Sequence, residues 1–172
     1  MKTRQQQFID AYEKHSESLY RFCFFKLNDK ELAKDLLQET FTKAWVYISK
    51  DEKVINIKAF LYKILSNLII DEYRKRKPID SLETLKETGF DPSFDDTSSW
   101  VDKMDGAQAV ELLKDIPDSY RDVLFMRFIE ELSLSEIGSI TGESENAIAV
   151  RIHRGLNKLR ALYKENSKGM SS

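Results

Sequence analysis

Apolar side chains at Leu32, Ala33, Leu36, Leu37, Phe41, Ala44, Trp45 and Ile48 recur with the period of a helix that buries one face. Asn28, with Glu31 three residues on, reads as a capping box that opens this helix. A second helix is marked by Phe60, Leu61, Ile64, Leu65, Leu68 and Ile69. It runs into Tyr73-Arg74-Lys75-Arg76-Lys77 and is stopped by Pro78. Upstream, Phe8, Ala11 and Tyr12, then Leu19, Phe22 and Cys23, predict one or two further helices. The first 77 residues contain neither proline nor glycine. They are expected to form an all-helical bundle with short polar turns.

From Pro78 to about Gly106 the periodicity fails, and Gly89, Pro92, Asp95-Asp96 and Thr97-Ser98-Ser99 are linker chemistry. Leu82, Leu85, Phe90, Phe94 and Trp100 are too apolar for a purely solvated tether, so some of them are expected to dock on a module or a partner. Helical pattern returns at Ala107–Leu113, ending near Pro117, and again at Val123, Leu124, Met126 and Phe128. Ser133 and Glu136 form a capping box for a short helix, Gly142 closes it, and Ser144 caps the next. That last helix buries Ile148, Ile152, Leu156 and Leu159 and is expected to show Arg151, Arg154, Lys158 and Arg160 to solvent. Short helix, glycine turn and longer basic helix make a helix-turn-helix. The fold class is therefore all-α, two small helical domains joined by an acidic flexible linker. The expected boundaries are 1–78, a linker at 79–106, 107–165 for the helix-turn-helix domain, and a tail at 166–172.

The chain has 172 residues, 41% of them hydrophobic and 33% charged, enough apolar content for buried cores and against wholesale disorder. One cysteine excludes an internal disulfide, and with two histidines it argues against a zinc cluster. No long apolar run predicts membrane insertion and the N-terminal residues do not read as a secretion signal, so a cytoplasmic location is expected. The net charge of −2 averages over strong segregation. Residues 58–79 carry +4 and 147–164 carry +5, while 80–105 and 106–146 each carry −6. Local charge governs binding to an anionic polymer, so two compact basic patches change the picture that the total presents.

In a helix-turn-helix the second helix enters the DNA major groove with its N-terminal residues at base edges. Those positions are Glu145, Asn146, Ala147, Ala149 and Val150, with Arg151, His153 and Arg154 one turn on. Asparagine pairs with adenine and arginine with guanine, whereas Ala149 and Val150 offer only apolar contacts, for instance to thymine methyls. An amphipathic surface helix with a solvated basic face would show the same charge pattern; the agreement of caps, turn glycine and one-sided charge favours DNA. The run Arg74-Lys75-Arg76-Lys77 suits either a helix C-terminus, where cations complement the dipole, or phosphate binding. Tyr62, Asn67, Asp71 and Tyr73 on the same helix suit unstacked bases, although each taken singly is more often core or solvent-facing. Asp35 and Glu39 place carboxylates four residues apart without a metal-ligand histidine or a nucleophile. His15 and His153 are expected at the surface or against phosphate. There is no nucleophile motif, no phosphate-cradling glycine loop and no cofactor fingerprint, so neither enzyme activity nor a cofactor is expected.

Taken in order, these segments resemble the extracytoplasmic-function sigma factors, the compact class of bacterial RNA polymerase sigma subunits, over roughly residues 8–77 and 107–163. The segment Asp35–Trp45 is similar to the family's polymerase-binding helix. Ala59–Ile64 and Asn67–Asp71 are similar to its −10 recognition helix. Ile116–Leu124, Leu132-Ser133, Glu136-Ile137 and Arg151–Arg154 are similar to its −35 reader. The resemblance implies that Asp35, Leu36, Gln38, Glu39 and Phe41 dock on core RNA polymerase, at the clamp helices of its largest subunit, with the flap as a second contact. It implies that Asn67 reads an extruded −10 base beside Asp71, with Tyr62, Tyr73, Arg74, Lys75, Arg76 and Lys77 around it. It assigns Arg121, Ser144, Glu145, Asn146, Ala147, Ala149, Val150, Arg151, His153 and Arg154 to −35 DNA. Double-stranded and melted promoter DNA and an anti-sigma factor are the further partners implied. Where the family commonly has glycine before Leu132-Ser133, this chain has Glu131, which predicts a different turn. The competing class is a stand-alone helix-turn-helix regulator, and a third is a helical adaptor that binds only protein.

Overall fold

The structure, a computed structural model, describes residues 1–76 and 105–170. Among these residues every regular element is helical, and they form two units.

The first unit is three helices, α1 (Arg4–Leu27), α2 (Lys30–Ser49) and α3 (Ile57–Arg76), each packed on the other two. α1 is one continuous helix, opened by Thr3, whose side chain accepts from Gln6 N–H. Its buried positions, Ala11, His15, Leu19, Phe22, Cys23 and Leu27, step by three or four residues and so line a single face. The α1–α2 corner corrects the sequence reading. Asn28 does not open α2; it ends α1 at φ 51°, with its N–H donating to Phe24 O. Asp29 is the residue that caps α2, accepting from Leu32 N–H. The physical reason is conformational: asparagine tolerates the left-handed region, and that leaves the extended cap position to the next residue. Asn56 plays the same part for α3, its Oδ1 accepting from Ala59 N–H at 3.0 Å.

The second unit comprises α4 (Gly106–Leu113), α5 (Asp118–Leu124), most of α6 (Leu134–Thr141) and α7 (Glu145–Met170). The apolar stretch after Val123 does not stay α-helical. Phe125–Ile129 form a π-helical turn, where Glu130 N–H donates to Phe125 O across five residues. A one-residue widening of this kind rotates the chain beyond it, and Arg127 closes the turn by donating to Leu132 O at 3.0 Å. α4 and α5 pack against α7. The core contributed by these helices includes Leu112, Ile116, Tyr120, Leu124, Phe125, Ile148, Leu156 and Leu159, all buried. α7 continues to Met170, so residues 166–170 are helical rather than a tail. Lys77 and residues 79–104 of the expected linker lie outside the described residues, while Gly106, expected to be linker, is the first residue of α4.

Candidate nucleic-acid interface

α3 is fixed along one side by Leu61, Leu65, Leu68 and Ile69, which are buried. Its opposite side carries Lys63, Asn67, Ile70, Asp71 and Arg74, all exposed. Their spacings of four, three, one and three residues make one continuous stripe along the helix. Asn67, Asp71 and Arg74 thus share a face, and Lys63 extends it by one turn. Lys63 was not among the residues expected to face DNA, and its four-residue spacing from Asn67 is the signal that places it on this face. Tyr73 is exposed at its ring, yet its hydroxyl donates to Lys26 O at 2.5 Å, and Lys26 Nζ sits 5.4 Å from the ring centroid. Tyr73 therefore ties the end of α3 to the end of α1. Arg76 approaches Asp29 at 3.7 Å, both exposed, and the exposed Lys75 approaches the half-buried Glu72 at 3.6 Å. Surface pairs of this kind contribute about 1 kcal/mol or less and leave the cations available to an anion.

Tyr62 is a correction. Its relative exposure is 0%, its hydroxyl donates to Ser18 Oγ at 3.0 Å, and its ring meets Phe22 edge-on. It is a core residue and presents no face to a base. His15 is likewise buried, not at the surface. Burial pushes the Cys23 thiol up to about 12, so it packs as a neutral apolar group.

On α2 the expected polymerase-docking residues divide by burial. Asp35, Gln38 and Glu39 are exposed, while Leu36 and Phe41 face inward. Phe41 holds the helix against α1 through edge-on contacts to Phe8 at 6.0 Å and Tyr12 at 4.8 Å. Beside it, Phe8, Ile9, Tyr12, Leu37, Gln38 and Trp45 contribute to the lining of a groove of about 930 Å³. The groove runs between α1 and α2, and the exposed carboxylates stand on α2, the helix that lines one side of it.

In the second unit α6 and α7 build the helix-turn-helix as expected. Ser133 and Glu136 form both halves of the capping box. Gly142 takes φ 77°, its N–H donating to Gly138 O. Ser144 Oγ accepts from Ala147 N–H at 3.1 Å. Glu145, Asn146 and Ala147 are exposed, whereas Ala149, Val150, Arg151, His153 and Arg154 are half-buried. The expectation that Arg151 and Arg154 stand in solvent like Lys158 and Arg160 is therefore corrected. Arg151 pairs with Glu143 in the turn, a contact between residues eight apart that no helical spacing announces. Arg121 is also half-buried and pairs with Asp118. Among the described residues no group of His, Cys, Asp and Glu side chains is placed to hold a metal ion, and no helix is long and apolar enough to cross a membrane.

A three-helix unit with a basic helix end and a helix-turn-helix unit with a polar recognition helix define a bipartite, all-helical DNA-binding class. Comparison narrows that class. Residues 11–79 match Sigma-70 region 2, and residues 112–161 match Sigma-70, region 4. The chain is 32% identical over 166 residues to the ECF RNA polymerase sigma factor SigW of Bacillus subtilis (strain 168), covering 91% of this chain and 88% of SigW. It is 31% identical over 151 residues to the RNA polymerase sigma factor SigV of the same strain, covering 85% and 84%. Its fold is similar to that of the sigma factor RpoE in its co-crystal structure with the anti-sigma factor NepR from Bartonella quintana. The TM-score is 0.68 at 22% identity, over 92% of this chain and 97% of that one. The chain belongs to the extracytoplasmic-function RNA polymerase sigma factors of the sigma-70 family. It is a promoter-recognising transcription initiation factor and not an enzyme, and the stand-alone regulator is not favoured. Sigma factors bind RNA polymerase and promoter DNA.

Proposed function

We propose that the two units divide the work of promoter recognition, with boundaries at 1–78 and 107–165 and residues 79–106 joining them. Asp35, Gln38 and Glu39 on α2 form the charged part of a docking surface for the clamp helices of the largest polymerase subunit. Leu36 and Phe41 shape that surface from within. The α3 stripe of Asn67, Asp71 and Arg74 reads the −10 element, Asn67 through the edge of an extruded base, and Arg74, Lys75, Arg76 and Lys77 hold nearby phosphates. Glu145, Asn146, Ala147, Ala149, Val150, Arg151, His153 and Arg154 on α7 read the −35 element from the major groove, with Ser144 and Arg121 beside them, and the same unit rests on the flap. Binding is cytoplasmic, where the polymerase and promoter DNA are. An anti-sigma factor, as in the RpoE–NepR complex, would compete for these surfaces.

The observation that carries this reading is the exposed polar stripe on α3, set on a helix whose other side is locked into a three-helix core. A rigid element with convergent polar groups is what base readout needs. Run-off transcription with core polymerase on −10 variants tests it. Asn67→Ala is expected to lower open-complex formation on the preferred promoter by roughly 5–100-fold while changing preference at one −10 base. Uniform use of all −10 variants by the wild-type holoenzyme would overturn it.

A further inference from the structure

The stripe on α7 that begins at Ala147 continues through Val150, Arg151 and Arg154. Alanine and valine offer no hydrogen bonds, so Arg151 is its first polar group with reach. Arg151 is not a free cation. Its Nη2 donates to Glu143 Oε1 at 2.5 Å, and the two side chains are 29% and 33% exposed.

Glu143 does not belong to α7. It sits in the turn, where its N–H donates to Gly138 O at 3.1 Å. Its own carbonyl oxygen lies so close to Gly138 that a Cβ there would stand 2.8 Å from it. Glycine at 138 is therefore what lets the turn close this tightly on α6. The carboxylate is placed from the α6 side and the guanidinium from the α7 side, and they meet across the turn. Glu143 Oε2 is buried without a hydrogen-bond partner, so the Arg151 contact carries the orientation of the carboxylate.

We propose that Glu143 is a positioning residue for promoter discrimination: it aims the Arg151 guanidinium at a base edge of the −35 element and, by neutralising it, keeps it off the phosphates. The proposal rests on the assignment of α7 to the −35 element. An unpaired arginine at a groove is drawn to the nearest phosphate, which rewards charge and ignores sequence. A carboxylate-paired arginine has little net charge left to offer a phosphate. It keeps the remaining N–H donors of its planar fork in a fixed plane, suited to the two acceptors that guanine shows in the major groove. Glu143 thus trades general affinity for discrimination.

The test measures binding of holoenzyme, assembled from core polymerase and the full chain, to duplexes carrying the preferred −35 element or each single-base change in it, across a salt series. Glu143→Gln is expected to bind the changed duplexes severalfold more tightly at low salt. Its slope of log affinity on log salt should steepen by about 0.9, the value for one added phosphate contact. Discrimination at one base position should fall by roughly fivefold or more. Arg151→Ala should lose discrimination at that same position with little change of slope, and Glu143→Asp should restore part of it. Wild-type slope and discrimination in Glu143→Gln would overturn the proposal. So would an equal loss of affinity for every duplex in step with a lower Tm, because the pair would then only fasten the turn. A wild-type holoenzyme indifferent to every −35 change would overturn the α7 assignment itself, and the proposal with it.

Discussion

Glu131 takes φ 56°, the left-handed conformation that costs an L-residue about 1–2 kcal/mol and costs glycine nothing. The resemblance implies glycine at this position, and Glu131 takes a conformation that glycine favours. Its side chain is exposed, so removing it sacrifices no core packing. Glu131→Gly is therefore expected to stabilise the chain by about 1 kcal/mol, after the extra unfolded-state freedom of glycine is set against the relieved strain. Urea denaturation checks this through a higher midpoint at unchanged slope; an unchanged or lower midpoint counts against it. The residue scale is also where sequence reading failed most plainly. Tyr62 shares the stripe of Leu61, Leu65 and Ile69, but its partner Ser18 lies 44 positions away, on another helix. Nothing local marks that hydroxyl as already satisfied in a core.

A single glycine sets how closely two helices of the second unit approach. Gly155 lies inside α7, where glycine lowers helix propensity by about 1 kcal/mol relative to alanine, so its presence needs a reason. The reason is α5. A Cβ at 155 would stand 2.9 Å from Leu124 Cδ1, 3.1 Å from Leu124 Cγ and 3.2 Å from Tyr120 Cβ. Leu124 and Tyr120 are both buried, so making room for a Cβ means shifting packed neighbours. Gly155→Ala should therefore destabilise the chain by about 1–3 kcal/mol despite the better propensity. Thermal unfolding checks this as a lower Tm, and a Tm at or above that of the wild type would show that α5 can give way. At this scale the chain was largely readable. The periods of α2, α3 and α7 and the capping box of α6 are local signals, and they survived folding. The π-helical turn at Phe125–Ile129 was not readable, because the same apolar run satisfies an α-helix until Leu132 and Arg127 fix its exit.

For the whole molecule, the net charge of −2 is a sum of basic patches and acidic stretches. Free in solution, a chain with this balance gains little from counterion release at any one patch, and the full chain alone should bind promoter duplex only in the non-specific range, Kd about 10⁻⁴–10⁻⁶ M at physiological salt. Core polymerase adds its own contacts and presents both units to one DNA. The holoenzyme should therefore bind the same duplex at least about 100-fold more tightly, as joint engagement of linked sites allows. Equilibrium binding with and without core polymerase decides it; equal affinities would mean that the basic patches act independently of the polymerase.

Periodicity, caps and charge runs are properties of neighbours along the chain. They by themselves determined that the described residues are helical, that they include a helix-turn-helix, and that two basic patches flank an acidic stretch. Burial and pairing depend on residues far apart. Only the tertiary structure decided that Tyr62 is core, that Tyr73 is tied to α1 and that Asp29 rather than Asn28 caps α2. It also decided that Arg151 meets a carboxylate from the turn. A side chain is free for DNA only if no partner brought in by folding has already claimed it, and such partners leave no local mark in the sequence.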